Sequence, residues 1–236
     1  MKKIIVSDYD QTFYINDEDI EINKKMVDKF MDLDNLFVIA TGRSYFDFHN
    51  KLDIYKFNYN YAVLNHGATI IDCENNILLN ISIPNEIILN IKNDLDLEKS
   101  VSYFCCSGIE SRVDFGHEDL TKINIKYETQ DFASKKIEDI NTKYKDYVTA
   151  YYVNNNSIEI ISKDINKEKA ILYLVGLNNV NEENVYTIGD GYSDIGMVKK
   201  FNGCCMKKSI REIKEYSIKE YSSVSNMIED VLDNKI

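Results

Sequence analysis

The chain has 236 residues and carries 28 Lys and Arg against 39 Asp and Glu, a formal net charge of −11. A surface this acidic repels phosphate backbones, which excludes broad nucleic-acid contact; it still admits one small phosphorylated ligand where a cation inverts the local field. No apolar segment approaches the roughly 18 residues that a bilayer span needs, and the five cysteines form two adjacent pairs and a singleton without any Cys-x-x-Cys, so no membrane anchor, disulfide framework or zinc site is expected.

Met1-Lys2-Lys3 leads straight into Ile4-Ile5-Val6 with no signal-peptide pattern, and a cytoplasmic protein is expected. That apolar run reads as a strand buried in a parallel sheet, and it ends in Ser7-Asp8-Tyr9-Asp10-Gln11-Thr12. A polar connection follows. Asn23, an N-cap type, then suggests the start of a helix carrying Met26, Val27, Phe30 and Met31. Leu36 to Ala40 reads as a second strand and leads into Thr41-Gly42-Arg43-Ser44 at the start of another helix. Tyr61 to Leu64 is a third strand, followed by Asn65-His66-Gly67-Ala68. Thr69-Ile70-Ile71 and Ile77-Leu78-Leu79 flank a polar turn and read as a β-hairpin.

Beyond the one proline, Pro84, the texture changes. A helix with Ile87, Ile88, Ile91 and Leu95 precedes β-like runs at Val101–Phe104, Ile123–Ile125, Tyr147–Tyr151 and Ser157–Ile161, with a helix from Ile137 to Tyr144 between them. Strands joined by short connections suggest an α+β insert on an antiparallel sheet. The α/β rhythm resumes at Asn166 with a helix. The strand Val185–Ile188 then runs into Gly189-Asp190-Gly191-Tyr192-Ser193-Asp194. A strand-like Gly203–Met206 and two short helices near Ile210 and Met227 close the chain. The fold class expected is α/β: a doubly wound, mostly parallel, Rossmann-like core at 1–81 and 163–236, with an α+β domain inserted at 82–162.

In a doubly wound sheet the carboxyl ends of the strands meet at one crevice. Asp8, Asp10, Thr41, Asp190 and Asp194 all follow strands, and Lys167 opens a helix. Crowded carboxylates need a proton or a cation, and Mg²⁺ suits hard oxygen ligands beside a phosphate. A carboxylate can also serve as a nucleophile, while a Thr hydroxyl, helix N-terminal N–H groups and a Lys can hold phosphate oxygens.

Asp8-Tyr9-Asp10-Gln11-Thr12, Ala40-Thr41-Gly42-Arg43, Lys167 and Gly189-Asp190-Gly191-Tyr192-Ser193-Asp194 resemble the four ordered motifs of the haloacid dehalogenase superfamily, and most closely its Cof-type phosphatases with a large inserted cap. The resemblance spans the whole chain. It implies an Mg²⁺-dependent phosphomonoester hydrolase acting through an aspartyl-phosphate on a small phosphorylated metabolite, with a sugar phosphate the best single choice. Asp8 would be the nucleophile and Asp10 the general acid/base, with Thr41 and Lys167 holding phosphate. Thr12, Gly42, Arg43 and His66 join the substrate-binding set. The metal set is Asp8, Asp10 through its carbonyl, Asp190 and Asp194, the last as ligand or one shell out. A phosphomutase on the same scaffold and a phospho-accepting receiver protein are the alternatives; the length and the insert argue against the receiver. A monomer or homodimer is expected.

Five positions depart from the family pattern: Ser193 and His66 where Asn is usual, Glu168 where Gly is usual, and Lys207-Lys208 in place of Gly-Asn. Arg43 can clamp a substrate anion or pair with a surface acid. His66 can touch substrate or be an internally bonded loop histidine. The tyrosines Tyr144, Tyr147, Tyr151 and Tyr152 fit packing within the insert better than a substrate pocket.

Overall fold

The computed structural model describes residues 1–154 and 156–236. Among the described residues there are thirteen strands and eight α-helices: β1 (Ile4–Ser7), α1 (Asp17–Met31), β2 (Leu36–Ala40), α2 (Tyr45–Tyr55), β3 (Tyr61–Leu64), β4 (Thr69–Asp72), β5 (Ile77–Asn80), α3 (Asn85–Asp94), β6 (Ser100–Ser107), β7 (Glu110–Val113), β8 (Lys122–Tyr127), α4 (Gln130–Lys143), β9 (Val148–Asn154), β10 (Ser157–Ser162), α5 (Lys167–Leu177), β11 (Val185–Gly189), α6 (Ile195–Lys200), β12 (Asn202–Met206), α7 (Arg211–Lys214), β13 (Lys219–Tyr221) and α8 (Val224–Leu232). They build two sheets, one of eight strands in the order β13-β12-β11-β1-β2-β3-β4-β5 and one of five in the order β7-β6-β8-β10-β9. In the first, β13 to β3 run parallel and the β3–β4–β5 meander is antiparallel. The second is antiparallel throughout. The fold is therefore the expected α/β class with a parallel-rich core and a separate antiparallel sheet.

The central strands read as unbroken apolar runs because both of their faces are covered. Ile5, Phe37 and Ile39 pack against α1 and α8 through Val27, Phe30, Met227 and Ile228. Their neighbours Ile4, Val6, Val38 and Ala40 pack on the opposite face against α5 and α6 through Ile171, Leu174, Met197 and Val198. The five-stranded sheet has a third core of its own, in which Ile123, Ile125, Ile158 and Ile160 face α3 and α4 through Ile88, Ile91, Ala133 and Ile140. Its other face looks toward the carboxyl ends of the core strands. No helix among the described residues is long and apolar enough to cross a membrane.

Two helices start earlier than their sequence suggested. The cap of α1 is Asn16, whose side chain accepts the N–H groups of Glu18 and Asp19, rather than Asn23. Asn23 lies fully buried in mid-helix, where its amide donates to Phe13 O at 2.8 Å and its oxygen accepts the N–H of Ser225 at 2.8 Å. It ties the loop after β1 to the start of α8, a use that an N-cap preference does not predict. α4 begins at Gln130, capped by Thr129. Its first two turns are largely polar, so apolar spacing marked only its second half.

The chain crosses from β1 to β2 on one side and reaches β11 on the other side of β1, so the crevice opens beyond the carboxyl end of β1. Asp8, Thr41 and Asp190 follow β1, β2 and β11 respectively, and all three line that crevice.

Candidate active site

The loop after β1 turns back on itself. Phe13 and Tyr14 donate their N–H groups to the carbonyls of Asp8 and Tyr9 at 3.1 and 2.8 Å, with Gln11 at φ 62° closing the turn. Tyr9, between the two acids, is fully buried against Phe13 and Phe57. Anchoring the middle residue inward leaves Asp8 and Asp10 on the crevice side.

Lys167 reaches the same point from the start of α5. Its Nζ lies 2.6 Å from Asp8 Oδ1 and 2.6 Å from Asp194 Oδ1, and its side chain is 1% exposed. Asn166 caps the helix by accepting the Lys169 N–H. The approach is close because Gly67, at φ +113°, packs directly on it: a Cβ there would sit 2.5 Å from Asn166 O. Asn65, His66 and Gly67 all take positive φ, so the turn that carries His66 is held in a strained conformation by its surroundings.

Asp190 and Asp194 come from the turn after β11. Asp194 Oδ2 accepts the N–H groups of Asp190 and Gly191 at 3.1 and 3.0 Å, while its other oxygen receives Lys167. Thr12 donates its hydroxyl to Asp190 Oδ1 at 2.9 Å. Asp8, Asp190 and Asp194 present carboxylate oxygens within 4.8 Å of one another. Burial raises the Asp8 carboxyl, and Asp194 and Asp190 push the same way against Lys167. Burial and Asp194 push Asp190 up to about 6. Burial opposes the Lys167 charge, but Asp194 and Asp8 more than reverse it, so the ammonium persists. Three acids against one lysine leave a surplus of negative charge.

Thr41 is 1% exposed; its Oγ accepts the Arg43 N–H at 3.1 Å. Arg43 grips Asp10 at both oxygens, Nε to Oδ2 at 2.8 Å and a terminal nitrogen to Oδ1 at 2.7 Å, with its guanidinium over the Tyr9 ring. The partner of Arg43 is thus a carboxylate of the cavity lining itself. Asp10 therefore stands apart from the cluster of three acids. Gly42 gives His66 its space, since a Cβ there would lie 2.3 Å from the imidazole.

His66 is met by the five-stranded sheet. Its Nε2 pairs with Glu159 Oε2, and Tyr151 packs edge-on to the ring at 4.6 Å. Burial lowers the His66 imidazole despite Glu159. A neutral ring facing a carboxylate carries its proton on Nε2, which leaves Nδ1 an acceptor; Nδ1 and the Tyr151 hydroxyl are buried without partners among the described residues. Lys122, 2% exposed, lies 3.0 Å from Glu159 Oε1 and donates to Gly42 O at 2.6 Å. Burial alone would raise Glu159, but Lys122 and His66 override it and hold it at about 2. Together these residues bound a cavity of about 1090 Å³ between the two sheets.

Sequence reasoning had not singled out Lys122, Asn124 or Glu159. The signal was present: Ile123-Asn124-Ile125 and Ile158-Glu159-Ile160 alternate with period two, so the polar residue of each faces away from the isoleucine core. What the sequence lacked was the register, which sets Glu159 opposite both Asn124 and Tyr151. Tyr151 and Tyr152, read as packing within the insert, line the cavity instead. Cys105, Cys106, Cys204 and Cys205 are buried free thiols, and Cys73 is exposed.

Comparison with known proteins agrees with this geometry. A family model described as haloacid dehalogenase-like hydrolase matches residues 5–113 and 107–226. A Haemophilus influenzae protein named "Putative phosphatase" is 24% identical over 242 residues, covering 90% of this chain and 88% of its own. Among solved structures, a haloacid dehalogenase-like hydrolase from Bacteroides thetaiotaomicron superposes with a TM-score of 0.81 at 18% identity, over 98% of this chain and 100% of its own. One from B. subtilis does so with a TM-score of 0.83 at 16% identity, over 96% and 99%.

Proposed function

This chain belongs to the haloacid dehalogenase-like hydrolases, and from that premise and the geometry above we propose that it is a phosphatase acting on a small phosphorylated metabolite, with a sugar phosphate the preferred class. The observation that carries this reading is the buried ammonium of Lys167, 2.6 Å from both Asp8 and Asp194, two acids that line a cavity bounded on its far side by a second sheet. Asp8 attacks phosphorus in line with the leaving oxygen, forming an aspartyl-phosphate, and Asp10 gives that oxygen a proton. Asp10 then takes a proton from water, which attacks the phosphorus and releases Asp8 and inorganic phosphate. Thr41, Lys167 and the N–H groups around Gly42 hold the phosphoryl oxygens. Arg43 positions Asp10, and one of its two bonds to that carboxyl opens when Asp10 takes up the proton that it gives to the leaving oxygen. Residues 82–162 act as a cap that bounds the leaving group and excludes bulk water.

The donor set fits Mg²⁺. It offers hard oxygen donors, it is largely buried, and the negative charge of its three carboxylates exceeds what Lys167 balances. Asp8 and Asp190, with the Asp10 carbonyl, would hold the ion, which supplies charge stabilisation for the phosphoryl group. Asp194, with both oxygens already engaged, orients Lys167 and the backbone at Asp190 and Gly191.

The test is hydrolysis of an aryl phosphate with and without Mg²⁺. Turnover is expected to need the ion, and Mg²⁺ is expected to raise the melting temperature by relieving repulsion among the three acids. Equal rates in excess EDTA, with no change in melting temperature, would contradict the assignment.

A further inference from the structure

The wall of the cavity that faces the catalytic carboxylates is a row of side chains running across the five-stranded sheet. Phe104, Asn124, Glu159 and Tyr151 are paired cross-strand neighbours on β6, β8, β10 and β9, and all line the cavity. Lys122, two residues before Asn124, is on the same face.

Among the described lining residues every cation is already committed. Arg43 is held by Asp10 at both oxygens, and Lys122 by Glu159 and Gly42 O. Asp47, a further lining carboxylate, has the Ser44 hydroxyl as its side-chain partner. A second anion on the leaving group that reaches the sheet wall would thus meet only Lys122, already paired. To take Lys122 it would leave Glu159, 4% exposed, as a buried carboxylate without its main partner, a penalty that a partly solvated new pair does not return. Beside this neutralised pair Asn124 donates its amide N–H to Glu159 Oε1 at 2.9 Å, which fixes the amide and turns its carbonyl oxygen to use as an acceptor.

We propose that the Lys122–Glu159 pair is a charge filter for the leaving group: it keeps this wall electrically neutral, so that the site accepts monophosphates of uncharged, hydroxyl-bearing groups, read by Asn124, and refuses a substrate with a second anion. This inference rests on the phosphatase reading and specifies which leaving group that same site takes. Glu159 is a positioning residue in it, acting through Lys122 and Asn124.

Wild-type protein with Mg²⁺ is assayed on p-nitrophenyl phosphate, on a panel of glycerol, pentose and hexose monophosphates, and on a hexose bisphosphate. The best hydroxylated monophosphate is expected to exceed the bisphosphate in kcat/KM by at least about tenfold. Glu159→Gln keeps the shape, frees Lys122, and is expected to raise the bisphosphate-to-monophosphate ratio by about tenfold, a relative gain that a damaged fold does not produce. Asn124→Leu is expected to lower the ratio of hydroxylated monophosphate to p-nitrophenyl phosphate by about tenfold; it decides the matter if Glu159→Gln does not fold. A bisphosphate preferred by the wild type, or ratios within about twofold of wild type in the folded variants, overturns the filter while leaving the phosphatase reading intact. No hydrolysis of any phosphate ester overturns both.

Discussion

Asp8→Asn is expected to lower turnover of an aryl phosphate by at least about 10⁴-fold while leaving the protein folded. The amide has the shape of the carboxylate and still accepts a hydrogen bond from Lys167, which keeps Asp194 as its ionic partner at 2.6 Å. It cannot attack phosphorus. Burial and two neighbouring carboxylates already disfavour a charge at Asp8, so removing that charge relieves repulsion, and the metal-free variant should unfold at no lower a denaturant concentration than wild type. Activity within about tenfold of wild type would remove Asp8 from the chemistry. An unfolded variant would show that the Asp8–Lys167 pair, and not the triad of acids, dominates this region's energetics.

Lys167→Met is expected to destabilise the protein by about 3–5 kcal/mol at neutral pH in the presence of a chelator, because it leaves buried carboxylates unpaired. Lys167 is 1% exposed and is the one ammonium within reach of Asp8 and Asp194 in the described structure. Asp190, already pushed up to about 6, adds to the repulsion. A carboxyl raised in the folded state costs stability as it ionises, so the deficit should shrink near pH 5 relative to pH 7. Mg²⁺ should restore part of it by supplying the missing positive charge. Denaturant unfolding with and without Mg²⁺ measures both effects; a deficit below about 1 kcal/mol, indifferent to the ion, would mean that the acids are not ionised together.

How much of this was legible in the sequence depends on how local the cause is. β1, β2, β3 and β11 stand out because a strand covered on both faces must be apolar throughout, and Ile4-Ile5-Val6 or Leu36–Ala40 declare that without reference to any neighbour. Polar groups at the ends of such strands are legible for the same reason, and the structure brings Asp8, Asp190 and Asp194 to one point with Lys167. The motif order also carried the family, which the match over residues 5–113 and 107–226 shows.

Short edge strands were not legible. Glu110–Val113 and Lys219–Tyr221 are polar, and their strand character comes from the neighbour they pair with. Asn23 illustrates a second kind of failure. An Asn suits a helix start by propensity, but a tertiary demand for two backbone partners, Phe13 O and Ser225 N–H, placed it in mid-helix. The Lys122–Glu159–His66 cluster is a third, because it requires the register of β8 and β10 and the approach of that sheet to the His66 turn. No local pattern holds that information. His66 itself was visible as a departure from the family pattern, and its partner was not.

The most direct test of phosphoryl transfer at this site is the mass of acid-quenched enzyme caught during turnover with Mg²⁺ and an aryl phosphate, followed by mapping of any adduct. One phosphoryl group is predicted on the peptide that contains Asp8, more abundant in Asp10→Asn, where the water that completes the cycle lacks its base. Turnover with no covalent adduct in either protein, or an adduct on any residue other than Asp8, would contradict it.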